Sequence, residues 1–381
     1  MLAHLRTQPL IAVDTESDSL YRYRPRICLI QISAPAPKGS EPDPVSPVPV
    51  LDYLVDPLHL SVQELQPLGE ILADPAVEVI FHAAENDLIQ LERDFGFRTR
   101  RIFDTQLAAR ILGRRGVGLD RILEEEFGVI SDKRMRRTDW GRRPLTPQQM
   151  TYAQLDTHFL PALRERQIRA LQEAGRWEEA LETFQALERI HYTPPKAPRS
   201  FWSMKGLRDV PRDDLPVLQA LWEWRERRAQ ELDRPPFKVM TDGVLRLLAT
   251  ARPRTLEALR GIQGLSERQR QRYGAQILEV IAQGEQRPVP EPPSSDGEGI
   301  ELTRTERRLY DALRRWRTQR AQDRGVDPDI VLSNHELLAI VRQRPRTVAE
   351  LMENPTIGAW KAQTYGPEIL AILEQGRRSR P

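Results

Sequence analysis

The stretch IAVDTES, residues 11–17, decides how the rest of the chain is read. Ile11, Ala12 and Val13 form an apolar run that leads into Asp14 and Glu16, with Thr15 between them. Side chains alternate faces along a strand, so residues two apart share a face. Two carboxylates placed side by side repel unless a cation sits between them. A hard divalent metal with oxygen ligands satisfies such a pair. An edge strand ending in solvated acids fits the same seven residues, and the stretch alone leaves both readings open.

At 381 residues the chain exceeds one ordinary core, and two or three domains are expected. Its 57 basic and 55 acidic residues leave a net charge of +2, so composition does not announce a nucleic-acid binder. The lone Cys28 excludes a disulfide framework and a cysteine-rich zinc site. Within ICLIQI it reads as a small buried hydrophobe. No run approaches the roughly 18 apolar residues of a membrane span, and no signal-peptide pattern opens the chain. A cytoplasmic location with no membrane partner is expected.

Strands are expected at IAVDTES, Ile27–Ile32, about Val50–Val55 and Val77–His82, with a Ser61-capped helix reaching Leu72. The Pro-rich stretch at 34–49 reads as a surface loop. Strands followed by alternating helices and strands indicate an α/β domain with a mixed sheet. His82 sits at a strand-to-helix junction, and Asp87 falls early in the helix that follows. An acid there also suits the helix dipole, which alone would account for it. Asp104 reads as an ordinary N-cap.

The segment DKRMRRTDWGRRPLTPQQ gathers Lys133, Arg134, Arg136, Arg137, Arg142 and Arg143 around Trp140. Pro, Gly and Thr make it a loop, where arginines and an aromatic could meet phosphates and a base. A solvated basic face fits as well. Thr146-Pro147 then starts a helix. Tyr152 and Asp156, four apart, share one of its faces, either as part of a site or as a plain hydrogen-bonded pair.

Taken in order, Asp14-x-Glu16, His82-x4-Asp87 and Tyr152-x3-Asp156 resemble the tyrosine-bearing branch of the DEDD 3′→5′ exonuclease superfamily. FHAAENDL, FDTQLAARIL and SDKRMRRTDWGRRPLTPQQMTYAQLD look like the ribonuclease D family. The resemblance covers residues 10 to 195 and implies a ribonuclease H-like mixed sheet flanked by helices. It implies two divalent ions, Mg²⁺ or Mn²⁺, held by Asp14, Glu16, Asp87 and Asp156, with Tyr152 orienting the attacking water. Thr15, His82, Arg136, Arg137, Trp140, Arg142 and Arg143 are the candidate nucleic-acid contacts.

Behind this region the chain repeats itself. LWEWRERRAQ at 221–230 aligns with LRRWRTQRAQ at 313–322, an offset of 92 residues. The register holds at RPRT (252–255 and 344–347) and at Tyr273-Gly274 and Tyr365-Gly366. A period that long marks duplicated small domains, not solenoid units. They resemble HRDC modules, all-helical domains. The expected division is a nuclease domain over 1–197, modules over 212–286 and 303–377, and a mobile linker over 287–302. Arginines on the module helices, Arg225 and Arg317 among them, could contact phosphates or form a solvated face, whereas Trp224 and Trp316 read as core anchors.

The resemblance implies a 3′→5′ exoribonuclease that takes RNA with a free 3′ end, such as transfer-RNA precursors, and releases nucleoside 5′-monophosphates. A 3′→5′ DNA exonuclease would use the same carboxylates. A non-catalytic RNA-binding adaptor is disfavoured because all four acids are present.

Overall fold

The computed structural model describes residues 1–37, 49–194, 200–292 and 302–378. The expectations placed on most of 34–49, on the last residues of the 1–197 domain and on most of the linker lie outside those residues. A five-stranded sheet runs in the order β3-β2-β1-β4-β5. Its strands are β1 Leu10–Ser17, β2 Ile27–Pro35, β3 Val50–Val55, β4 Glu78–Phe81 and β5 Ile102–Asp104. β1 pairs with β4 and β4 with β5 in parallel, whereas β2 and β3 are antiparallel. β2 is buried from Ile27 through Ala34, as expected for a strand covered on both faces. The helix Val62–Ala73 starts at a Ser61/Glu64 capping box and buries Leu65, Leu68, Ile71 and Leu72. The sheet is mixed and flanked by helices, with the helical segments following.

Contacts divide the chain into two compact units that cut across the three segments expected from sequence. The first joins Met1–Glu16, Ile27–Tyr192 and Glu301–Pro381; the second joins Ser17–Arg26 and Thr193–Ile300. Within the first unit, the later helical module packs on the helices Thr105–Ile111 and Trp177–Leu187. Its Ile330 enters the same apolar cluster as Phe103 and Phe184. Arg324 donates to both carboxylate oxygens of Glu179, at 2.8 and 2.5 Å, and Glu179 is 1% exposed. Arg110 reaches Asp329 at 2.7 Å, and Arg189 reaches the Pro355 carbonyl at 2.6 Å. The Glu182 carboxylate accepts from the backbone N–H of Trp360 (2.5 Å) and Lys361 (3.1 Å), capping the helix Ala359–Arg378.

In the second unit, the earlier module packs the helices Leu215–Glu231, Asp242–Ala251 and Glu267–Glu285 around Leu218, Leu221, Leu245 and Ile277. The 17–26 segment lies on it, with Arg22 donating to Asp233 at 2.9 Å. The two modules share one internal design. Trp224 Nε1 donates to Gln276 at 3.2 Å, and Trp316 Nε1 donates to Glu368 at 2.7 Å. Each indole meets a tyrosine edge-on, Trp224 with Tyr273 and Trp316 with Tyr365. Arg225 and Arg317 are not surface contacts. Both are buried and donate to the backbone carbonyls of Met240 and Leu332. A buried guanidinium must be hydrogen-bonded, and that need fixes the turn after each first helix.

Candidate active site

β1 delivers Asp14 and Glu16 to one face, and the helix Pro147–His158 brings up Tyr152 and Asp156 one turn apart. One carboxylate oxygen from each of Asp14, Glu16 and Asp156 lies within 4.8 Å of the others. Asp87, at the third position of the helix Glu85–Phe95, stands outside that trio. Its Oδ1 accepts a hydrogen bond of 2.5 Å from Thr15 Oγ1. The residue between the two β1 acids therefore holds the second motif's carboxylate.

The helix register is set by buried polar groups. Asp52 on β3 accepts from Ser33 on β2 at 2.5 Å, from Gln154 at 2.7 Å and from His158 at 2.8 Å. Burial pushes the Asp52 carboxyl up, but those hydrogen bonds outweigh it and hold the group ionised below its usual range. Asp104 is the N-cap expected from sequence and does more. It accepts from Gln106 and Leu107 of its own helix, and from Ala83 and Ala84 at the entry to the Asp87 helix. Ala83 sits at φ 65°, a left-handed conformation unusual for a residue with a side chain. The Asp104 contacts hold that turn in place.

Electrostatically the cluster is under tension. Burial first, then the charges of Asp87, Asp156 and Glu16, raises the Asp14 carboxyl well above its usual range. Burial and the charges of Asp156 and Asp87 do the same to Glu16, with Arg136 opposing. Burial lifts Asp87 to about 7. It also lifts Asp156 to about 7, against the Arg136 charge and a Tyr152 hydrogen bond. Four oxygen-donor carboxylates that resist ionising together are the donor set a hard divalent cation satisfies. Burial and the Asp156 charge also push the Tyr152 phenol up, so it stays protonated at neutral pH and can act as a hydrogen-bond donor.

The basic segment departs from the nucleic-acid contacts expected of it. Trp140 is 1% exposed and packs with Cys28, Leu29 and Tyr152, so it supports the tyrosine and offers no face to a base. Arg143 is also spent internally. It donates to Asp56 at 2.6 and 2.7 Å, to the Cys28 carbonyl at 2.6 Å and to the Trp140 carbonyl at 2.7 Å. That pairing holds the Asp56 carboxyl down at about 2. Arg136 lies at the site itself, its Nε donating to the Tyr152 hydroxyl at 3.2 Å and its Nη2 to Asp120 at 3.1 Å. Arg137 and Arg142 are exposed.

His82 Nδ1 is 2.8 Å from Thr105 Oγ1, whose own proton goes to the Phe81 carbonyl. Nδ1 is therefore the donor, and burial keeps the ring neutral. Sequence reasoning misses Asp120 and Asp56, the anchors of Arg136 and Arg143. Single acids distant from any motif carry no local signal.

Comparison with known proteins agrees with this geometry. A 3′-5′ exonuclease family model matches residues 1–168, and an HRDC domain model matches 214–281 and 306–373. A ribonuclease D of Granulibacter bethesdensis is 30% identical over 373 residues, covering 97% of this chain and 88% of that protein. A ribonuclease D of Gluconacetobacter diazotrophicus is 29% identical over 379 residues, covering 99% and 90%. The fold matches the crystal structure of Escherichia coli RNase D with a TM-score of 0.62 at 23% identity, over 98% of this chain and 95% of that one. With the acidic cluster in place and relatives matched end to end, the chain belongs to the ribonuclease D family of 3′→5′ exoribonucleases.

Proposed function

We propose that Asp14, Glu16, Asp87 and Asp156 hold two divalent ions, Mg²⁺ or Mn²⁺, and that Tyr152 aims the attacking water. The substrates are structured RNA precursors with a free 3′ end, transfer-RNA precursors among them, processed in the cytoplasm. The nuclease domain spans 1–197 and the modules 212–286 and 303–377. The observation that carries this reading is the convergence of Asp14, Glu16 and Asp156 oxygens within 4.8 Å. When bound, the metals supply a hydroxide nucleophile and charge relief on the leaving oxygen.

The chain's own residues do the rest. Asp14, Glu16 and Asp156 offer oxygen ligands from one strand and one helix, while Thr15 holds the Asp87 carboxylate in its orientation. Tyr152 retains its proton, accepts a hydrogen bond from Arg136 and is hydrogen-bonded to Asp156, so its hydroxyl stands beside the carboxylate where it would position the water. Asp14→Asn should abolish hydrolysis of 3′-labelled RNA and leave folding intact, since it removes charge from a cluster that is strained without metal. Near-native turnover of that variant with added Mg²⁺ or Mn²⁺ would overturn the assignment.

A further inference from the structure

The duplication provides an internal control for surface charge. In the earlier module, Arg252 pairs with Asp214 at 2.7 Å and Arg254 lies 3.8 Å from Glu285. The matching positions in the later module, 92 residues on, are Arg344, Glu306, Arg346 and Arg377. Arg344 and Glu306 still pair, at 3.5 Å. The partner of the second arginine, however, has become another arginine. Asp213 has likewise become Thr305.

These exchanges surround a hollow of about 670 Å³ lined by Thr305, Gln343, Arg344, Arg346, Glu350 and Arg377, among others. Arg377 is set in place by donating to the carbonyls of Arg344 (2.8 Å) and Pro345 (3.0 Å). Arg346 is exposed beside it. The hollow also carries the Glu350 carboxylate, which accepts from the Arg346 backbone N–H at 2.7 Å, but three arginines against that one acid leave an excess of positive charge where the sister module keeps a pair of opposite charges.

The hollow is also turned away from the face that docks. Lys361 meets Glu182 at one end of the helix Ala359–Arg378, and Arg377 stands at the other. At about 1.5 Å per residue, the helix separates them by about 24 Å. Docking therefore leaves the basic end accessible.

We propose that this hollow is a phosphate-binding site for the RNA backbone, formed by Arg344, Arg346 and Arg377, and that the earlier module lacks it. The proposal rests on the exoribonuclease reading, because RNA is the phosphate polymer such an enzyme must hold. Guanidinium forks suit phosphate oxygens, and Thr305 and Gln343 add neutral donors. Contacts of this kind position a strand without reading its sequence.

The test is to write the earlier module's residue into the later one. Arg377→Glu gives Arg346 the partner that Arg254 has in Glu285, so the fold has a precedent for it. In an Asp14→Asn background, binding of a fluorescein-labelled single-stranded RNA of about 20 nucleotides is titrated between about 50 and 200 mM KCl. Affinity should fall about five-fold, and the slope of log affinity against log salt should flatten by at least about 0.7. Arg346→Gln, which leaves the helix end untouched, should flatten it similarly. Unchanged affinity and slope in both variants would overturn the proposal. Hydrolysis of the same RNA by the wild-type chain, and its loss on Asp14→Asn, tests the nuclease reading separately.

Discussion

The two helical modules share an interior and differ in how their last helix begins. In the earlier module, Ser266 caps the helix Glu267–Glu285 through a capping box with Gln269. In the later module the aligned residue is Gly358, and the cap comes from Glu182 of the nuclease domain. A side chain at Gly358 would collide with that carboxylate, because its Cβ would fall 1.8 Å from Glu182 Cδ. One copy of the duplicated domain is therefore self-sufficient, and the other is completed by the domain it docks on. The nuclease core and the later module accordingly group into one compact unit, whereas the earlier module belongs to the other. Duplication preserved the Trp–Tyr–Arg interior, and the changes at the helix ends gave the copies different attachments.

The comparison is tested most strongly by metal and pH, because the carboxylate cluster lies in only one of the units. Asp87 and Asp156 are raised to about 7 by burial, above their unfolded values. A raised carboxyl binds its proton more tightly when folded. The metal-free unit should therefore lose stability as pH climbs from about 4 to about 7. A divalent ion favours the ionised cluster and removes that penalty. Mg²⁺ should raise the melting temperature of the nuclease-plus-later-module unit more at pH 8 than at pH 5, and leave hydrogen exchange in the earlier module unchanged. An equal shift at both pH values would remove the electrostatic account.

Next in size is the buried pair that joins the later module to the nuclease domain. Arg324→Met leaves Glu179 buried without its partner, at a cost of about 3–5 kcal/mol. Glu179→Leu combined with Arg324→Met should recover most of that, since both charges are then gone. Urea unfolding of the single and double variants measures both. If the double variant is no more stable than Arg324→Met alone, the pair does more than neutralise itself.

What can be read from the sequence divides along the same line, local against long-range. The Asp14/Glu16 pair, the Ser61 and Thr146 caps and the Tyr152/Asp156 spacing obey periods of two to four residues, and the structure places them as those periods require. β5, only three residues long, gives no periodic signal. Trp140 and Arg143 mislead because a basic loop looks the same whether its side chains turn out or in. Their inward course is set by Cys28, Leu29 and Asp56, more than eighty residues earlier in the chain. Thr15 reads as an RNA contact because nothing near it names Asp87, which lies 72 residues away. The docking of the later module is equally silent. Glu179 and Glu182 sit on an acidic helix without a motif, and their partners lie more than 140 residues on.

The last test isolates the borrowed cap. Gly358→Ser gives the later module the residue its sister uses at that position, Ser266. The new side chain cannot share the space with Glu182, whose carboxylate must release the N–H groups of Trp360 and Lys361. Losing two hydrogen bonds to a charged acceptor would cost about 1.5–3 kcal/mol each if nothing replaced them. Serine is a competent N-cap, however, and returns about 1 kcal/mol to the helix itself. The loss should thus fall on docking and spare the module's own fold. Hydrogen exchange should rise in the helix Trp177–Leu187 and at 355–361, with the Trp316–Tyr365 core unchanged. Gly358→Ala, which has the clash without the cap, should be the more destabilised of the two in thermal melts. If alanine and serine behave alike, the helix does not depend on whose oxygen caps it, and the later module's docking rests on its other contacts, Arg324–Glu179 and Arg110–Asp329 among them.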